Sequence, residues 1–298
     1  MHANRRWIVY SLITTLAWGV WLAFVDLPVR NGLPETLGYI VWSMTMVPPA
    51  LIAIGSIGWR VDYDWRSVVL GMTAGLLGAG GQLVLFKTLR IAPAYMVSPL
   101  IALSPLITIV MVYLISGERA GVKAWVGILL ALIAGVLLSY SPPDGESGQF
   151  LWISLTLVVL FAWGAQGFVI SYANKAMSAE SIFFYMMFSA ILLAPIAWWM
   201  TNFEQGINAG FSGLGLSAAI QSLNSVGALM LVYAYRYGKA IIVTPLINAG
   251  APVITIILSL LLAGKFPIPA HAVGMILAII AIVLMAVAEN EPQLAIEL

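Results

Sequence analysis

The sequence predicts an all-α integral membrane protein with ten transmembrane helices, arranged as two inverted five-helix repeats. Three observations predict it. Of 298 residues, 62% are hydrophobic and only 8% are charged, where an ordinary soluble domain carries about 25% charged residues; a soluble core of this length cannot hide so much apolar surface. Apolar stretches near the roughly 20 residues that a spanning helix needs recur along the whole chain. And the stretch 91–119, IAPAYMVSPLIALSPLITIVMVYLISGER, has an echo at 237–265, YGKAIIVTPLINAGAPVITIILSLLLAGK, half a chain away.

Taken in order, the spans are expected at 7–27, 36–57, 67–88, 93–115, 122–140, 150–171, 181–200, 212–235, 240–262 and 270–288. The N-terminal MHANRRW is a short basic lead into an apolar run, the pattern of a signal peptide. It reads here as the start of the first span, because apolar segments continue down the chain. The loop SPPDGESGQ (141–149) separates a first repeat (1–140) from a second (150–290), and a short tail (291–298) follows. If the N-terminus is cytoplasmic, Arg5, Arg6, Arg60, Arg66, Arg119, Lys123, Lys175, Arg236 and Lys239 fall inside, and Arg30, Lys87, Arg90 and Lys265 outside. Basic residues favour the cytoplasmic side, so both termini are expected inside, in a multi-pass protein of the cytoplasmic membrane.

The echo is detailed. At a shift of 146, Arg90 falls on Arg236, Ser98 on Thr244 and Pro99 on Pro245; one extra residue then enters, and Gly117 falls on Gly264 and Gly127 on Gly274. At a shift of 145, Ala17-Trp18-Gly19 matches Ala162-Trp163-Gly164, and Glu35 matches Glu180. Five helices per half is an odd number, so the halves enter the bilayer in opposite directions. Inverted repeats of this kind are a signature of transporters.

Composition excludes several other classes. Net charge is +1, which gives no electrostatic footprint for nucleic acid. There is no Cys, and the two histidines, His2 and His271, lie far apart. Thiolate or histidine metal sites and disulfides are therefore not expected, and no cofactor is implied. No GxxxxGK[ST], HExxH or GxSxG is present, which argues against nucleotide hydrolysis and against an intramembrane lipid enzyme. An ion channel should show a filter or a ring of like charges, and none is evident; a non-transporting scaffold is the remaining alternative.

At these residues the chain resembles the EamA branch of the drug/metabolite transporter superfamily. The resemblance rests on ten spans, an AWG in the first helix of each half, and the Gly117-Glu118-Arg119 turn followed by Trp125-Val126-Gly127 and an Ala/Gly/Leu-rich helix. Its strongest piece is 99–138; the second copy departs from it, with Gly264-Lys265 in place of Gly-Glu-Arg. The resemblance implies movement of a small solute across the cytoplasmic membrane, with export of amino acids or other metabolites the nearest likeness and uptake of sugars or nutrients the main variant.

Polar groups at bilayer depth are costly and mark candidate sites. Trp18 and Trp163 sit near the middles of the first and sixth spans, with Trp21 and Gln166 about one turn further on. An indole offers apolar area and one N–H, and an amide both donates and accepts. Gln82 and Asn224 lie mid-membrane on the third and eighth spans, where small residues also allow plain helix packing. Asn248 follows Thr244-Pro245, and Ser98-Pro99 and Ser104-Pro105 repeat the arrangement in the first half. Each proline frees a carbonyl that either lines a cavity or marks a kink. These nine residues are the expected solute contacts, at the interface of the halves.

Asp26 and Lys87, near the outer ends of their helices, read either as a gate or coupling pair or as a salt bridge and a snorkelling lysine. Glu118, Arg119 and Lys123 read as topological, Glu35 and Glu180 as complements to helix dipoles, and Tyr95, Tyr233 and Tyr235 as interfacial aromatics. No charge stands at mid-depth, which favours a neutral or zwitterionic solute over one that needs several Arg or Lys. The expected partners are that solute and the lipid bilayer, with the chain working as a monomer or a dimer.

Overall fold

The structure, a computed structural model, describes residues 5–92, 94–140, 151–204, 206–263 and 267–290. The loop 141–149, the Gly264-Lys265 pair and the tail 291–298 lie outside the described residues, as does the side chain of Tyr95. Ten crossings run through the described residues. They are α1 (Arg6–Phe24), α2 (Glu35–Thr45 continuing as Val47–Ser56), α3 (Trp65–Leu89), α4 in two pieces (α4a, Ala94–Ile101; α4b, Ser104–Leu114), α5 (Val122–Ser139), α6 (Leu151–Ala173), α7 (Ala179–Trp199), α8 (Leu216–Tyr237), α9 (Ala240–Ala263) and α10 (Pro269–Asn290). A short helix, Leu27–Arg30, follows α1, and a π-helical turn, Phe211–Gly215, leads into α8. Among the described residues nine crossings are long and apolar enough to span a membrane, and the tenth is the broken α4. Among the described residues there is no strand.

Local chemistry sets the boundaries. The Asp64 carboxylate accepts the Ser67 N–H and caps α3, and the Ser178 hydroxyl accepts the Ser181 N–H and caps α7. α2 restarts at Val47, whose following prolines occupy first-turn positions where a missing N–H costs nothing. The fourth crossing departs from the single helix expected at 93–115. Pro105 has no N–H for the Ile101 carbonyl, so the chain turns at Ala102–Leu103 and α4b starts afresh with the proline in its first turn. Its counterpart Pro252 lies inside an unbroken α9. Gly117, at φ 69°, makes the turn that leaves α4.

Connections alternate between two faces. The near face holds the start of α1, the α2–α3 loop and residues 115–121; the far face holds the α1–α2 and α7–α8 loops. Contacts tie each together. On the near face the Ser178 N–H and hydroxyl donate to Asp62 at 2.8 and 2.7 Å. On the far face the Thr36 and Thr201 hydroxyls bond at 2.8 Å, and Asn208 donates to the Asn31 carbonyl at 2.9 Å.

The inverted repeat is visible as duplicated close packings. Gly19 lies against Ile254 and the Ala251 carbonyl, and Gly164 against Ile107 and the Ser104 carbonyl; a Cβ at either would stand 2.4 Å from an isoleucine Cβ. Thr255 donates to the Gly19 carbonyl at 2.9 Å, and Thr108 to the Gly164 carbonyl at 2.7 Å. Gly127 meets Met285, while Gly274 meets Leu138. Each pair joins a helix of one half to a helix of the other or to its symmetry mate, and glycine is what lets the backbones approach.

Candidate functional site

The middle of the bundle is built by the two tryptophans. Trp18 Nε1 donates to the Asn224 carbonyl at 3.3 Å, and its ring lies over Gly227. Trp163 Nε1 donates to the Gly78 carbonyl at 3.2 Å, and its ring lies over Gly81. Gly78 and Gly81 fall on Asn224 and Gly227 at the shift of 146. The same crossing is therefore made twice, α1 on α8 and α6 on α3, with the indole N–H satisfied by a carbonyl of the facing helix.

Around these crossings stand amides. Trp21 Nε1 donates to Gln221 Oε1 at 3.0 Å. Gln166 packs against Gly78 so closely that a Cβ there would overlap its amide. Gln82 shares a helix face with Gly75, Gly78 and Phe86, which meet α7, α6 and Tyr39 of α2 respectively. It points between those helices, half-buried. Asn248 is exposed on a helix whose neighbouring residues 240–247 are all buried, and its Nδ2 donates back to the Thr244 carbonyl at 2.9 Å. That bond leaves its Oδ1 free.

The two halves are not in the same condition. Along α6, Gly167, Ile170, Ser171 and Asn174 are buried, the last three at 0, 4 and 6% exposure. Their counterparts at a shift of 145 are Leu22, Val25, Asp26 and Val29. Leu22 is 39% exposed, Asp26 is exposed, and the two valines are half-exposed. The far-face end of α1 is thus the more exposed of the two, and the near-face end of α6 the more buried, although Glu118, Ser171, Asn174 and Arg236 border a near-face cavity of about 350 Å³. Tyr235 and Thr244 form a buried 2.9 Å hydroxyl pair there, and Gly167 packs under Thr108 and the Tyr235 hydroxyl. Below them Glu118 accepts the Ile241 N–H at 3.0 Å and the Ser171 hydroxyl at 3.4 Å.

The profile of the EamA-like transporter family matches residues 5–140 and again residues 150–287. The chain belongs to the EamA-like transporter family. Protein RarD of Streptomyces exfoliatus is 25% identical over 259 residues, 84% of this chain and 76% of that protein. A protein of known crystal structure superposes with a TM-score of 0.76 at 18% identity, over 93% of this chain and 98% of the other; this likeness is one of fold.

In this EamA-like transporter the expected contacts divide. Trp18, Trp21, Trp163 and Gln166 meet the facing helices through their side chains and Asn224 through its carbonyl, whereas Gln82 is half-buried and Asn248 is exposed and bonds within its own helix. Ser104 is buried, its carbonyl against Gly164, and acts in packing α4b on α6. Ser98 is half-buried on α4a. Asp26 and Lys87 are both exposed and form no ion pair with each other among the described residues. Lys87 lies five residues beyond Gln82, about 140° round the helix, on the side of exposed Val69 and Leu76.

Three assignments are corrected. Tyr235 is buried and bonded to Thr244, not interfacial, because its hydroxyl turns inward against Gly167 of α6. Tyr233 donates its hydroxyl to Glu180 at 2.7 Å and so joins α8 to α7 rather than standing at the interface, while Glu180 lies in the first turn of α7 as expected. Glu118 is more than a topological charge, since it ties the end of α4b to α6 and α9. Gln221 was not singled out by sequence, although it sits one turn from Asn224 on the same face. Asp62, too, gave no signal. Burial opposes its charge, but hydrogen bonds from Ser178 and Ser181, with Arg236 nearby, hold its carboxyl below the usual carboxylate range.

Proposed function

We propose that the chain is a secondary transporter that moves a small neutral or zwitterionic metabolite, amino-acid-like, out of the cell across the cytoplasmic membrane by alternating access. The observation that supports this reading is a bundle middle where indoles and amides meet the facing helices, with no charged side chain among them in the described residues. Amides and indole N–H groups can orient a carboxylate or hydroxyl while the rings cover apolar parts. A dianionic or polyphosphate solute would need several Arg or Lys in the same place.

In this reading Trp18, Trp21, Gln82, Ser98, Trp163, Gln166, Asn224 and Asn248 contact the solute, Ser104 supports α4b beneath it, and Asp26 with Lys87 stands at the mouth. The near face is cytoplasmic, following its basic residues, so the present arrangement is outward-open. The halves, 1–140 and 150–290, rock against each other. Export rests on family likeness alone. The test is entry of labelled amino acids, sugars and nucleosides into proteoliposomes. Saturable entry of a neutral or zwitterionic class, lost in Trp163→Ala at equal membrane expression, supports the reading. Selection of a multiply charged class contradicts it.

A further inference from the structure

The two faces of the bundle carry the same device in two settings, and the difference between them specifies a motion. On the near face the Arg236 guanidinium donates to two carbonyls at the end of α6, those of Asn174 and Met177, the latter at 2.9 Å. On the same helix, three residues earlier, Tyr233 donates to Glu180 at 2.7 Å. The end of α6, the start of α7 and the end of α8 are thereby clamped together.

The inverted repeat writes this clamp again on the far face. Arg90 is the counterpart of Arg236, Lys87 of Tyr233, and Glu35 of Glu180; Val29 and Gly32 are the counterparts of Asn174 and Met177. The repeated clamp is undone. Arg90 donates to the Met200 carbonyl at 3.1 Å. A cavity of about 430 Å³ borders Arg90 together with Val29, Gly32 and Glu35, as one of about 350 Å³ borders the near-face clamp; what differs is that Arg236 holds its carbonyls and Arg90 does not. Lys87 and Glu35, of opposite charge, are both exposed and form no ion pair with each other among the described residues.

We infer that Arg236 and Arg90 are reciprocal latches of the transport cycle, each sealing one face by holding the two carbonyls at the end of its half's first helix. The inference rests on the alternating-access reading above. In an inverted-repeat carrier each half adopts, in one state, the packing that the other half shows in the opposite state. The near-face geometry seen here is therefore the far-face geometry of the alternate state. There Arg90 leaves Met200 and donates to the Val29 and Gly32 carbonyls, and Lys87 reaches Glu35. Arg236 and Tyr233 let go at the same time. The two arginines are positioning residues: they set which face is open and touch no solute.

The chain has no cysteine, so a single Asn248→Cys substitution reports interior access. The experiment adds a membrane-impermeant maleimide to one side or the other of oriented proteoliposomes and takes the ratio of near-face to far-face labelling rates. Arg236→Ala should raise that ratio about tenfold, the factor one charge-assisted hydrogen bond is worth, and Arg90→Ala should lower it by a similar factor. Tyr233→Phe and Glu35→Gln, which remove a single hydrogen bond or charge and keep the helices packed, should move it the same respective ways by less. Shifts of both arginine variants in one direction, or no shift in any of the four, overturn the latches. If the introduced thiol is labelled from a single face in every variant while the same chains with Asn248 intact still carry solute, the alternating-access reading itself fails.

Discussion

Gly164→Ala tests the crossing on which the interior rests. A Cβ at residue 164 would stand 2.4 Å from Ile107 Cβ and 2.7 Å from the Ser104 carbonyl, where ordinary contact begins at 3.4 Å. The shortfall of 1.0 Å cannot be met by a rotamer, because one obstacle is backbone and the other is a branched Cβ. α4b must move off α6, and the same shift carries the 2.7 Å Thr108–Gly164 bond out of hydrogen-bonding range. Overpacking and the lost intramembrane bond together cost about 2–4 kcal/mol. The assay is reversible denaturation in mixed micelles, with Gly121→Ala as control, since nothing lies within 4 Å of a Cβ there. Gly19→Ala, at the symmetric crossing, should cost as much. If Gly164→Ala is as stable as Gly121→Ala, the helices do not cross as described.

Trp163→Phe removes the N–H that satisfies the Gly78 carbonyl but keeps an aromatic ring; solute flux should fall several-fold while stability in the same micelles stays within about 1 kcal/mol of wild type. Glu118→Ala strips the carboxylate from the Ile241 N–H at the start of α9, a cap worth about 1 kcal/mol, and should raise near-face access to the interior in the maleimide assay. Asp62→Asn should lower the melting midpoint at neutral pH. Because the folded carboxyl titrates below its ordinary range, its contribution is present above the unfolded pKa of about 3.9 and fades as pH falls through the lower folded value; the gap between this variant and wild type should therefore close in acid. Reporter fusions after Arg119 and after Gly145 should lie on opposite sides, with Arg119 cytoplasmic.

Sequence carried the spans well, because a run of twenty apolar residues has few other uses. With the π-helical turn counted into α8, expected and observed ends differ by three residues or fewer, and the fourth span differs by its internal break. There the three prolines announced irregular backbone, but nothing distinguished Pro105, where the helix breaks, from Pro252, where it does not. The AWG echo located both tryptophan crossings, since a glycine beside an indole leaves room for a facing backbone. Gln221 stayed hidden, because α8 carries several polar residues and only the fold aims this one at Trp21. The different pairing of Arg236 and Arg90 on the two faces was also hidden. A symmetric repeat states that two conditions exist, and only coordinates show which half holds which.

Trans-stimulation tests the central claim most directly. Proteoliposomes are loaded with unlabelled solute of the selected class, and initial uptake of the labelled solute is compared with that of empty vesicles. One site that faces each side in turn returns faster when loaded, so the account predicts saturable uptake that is several-fold quicker in loaded vesicles. Uptake that rises linearly with concentration and ignores the internal solute would mean a pathway open to both faces at once, and would contradict it.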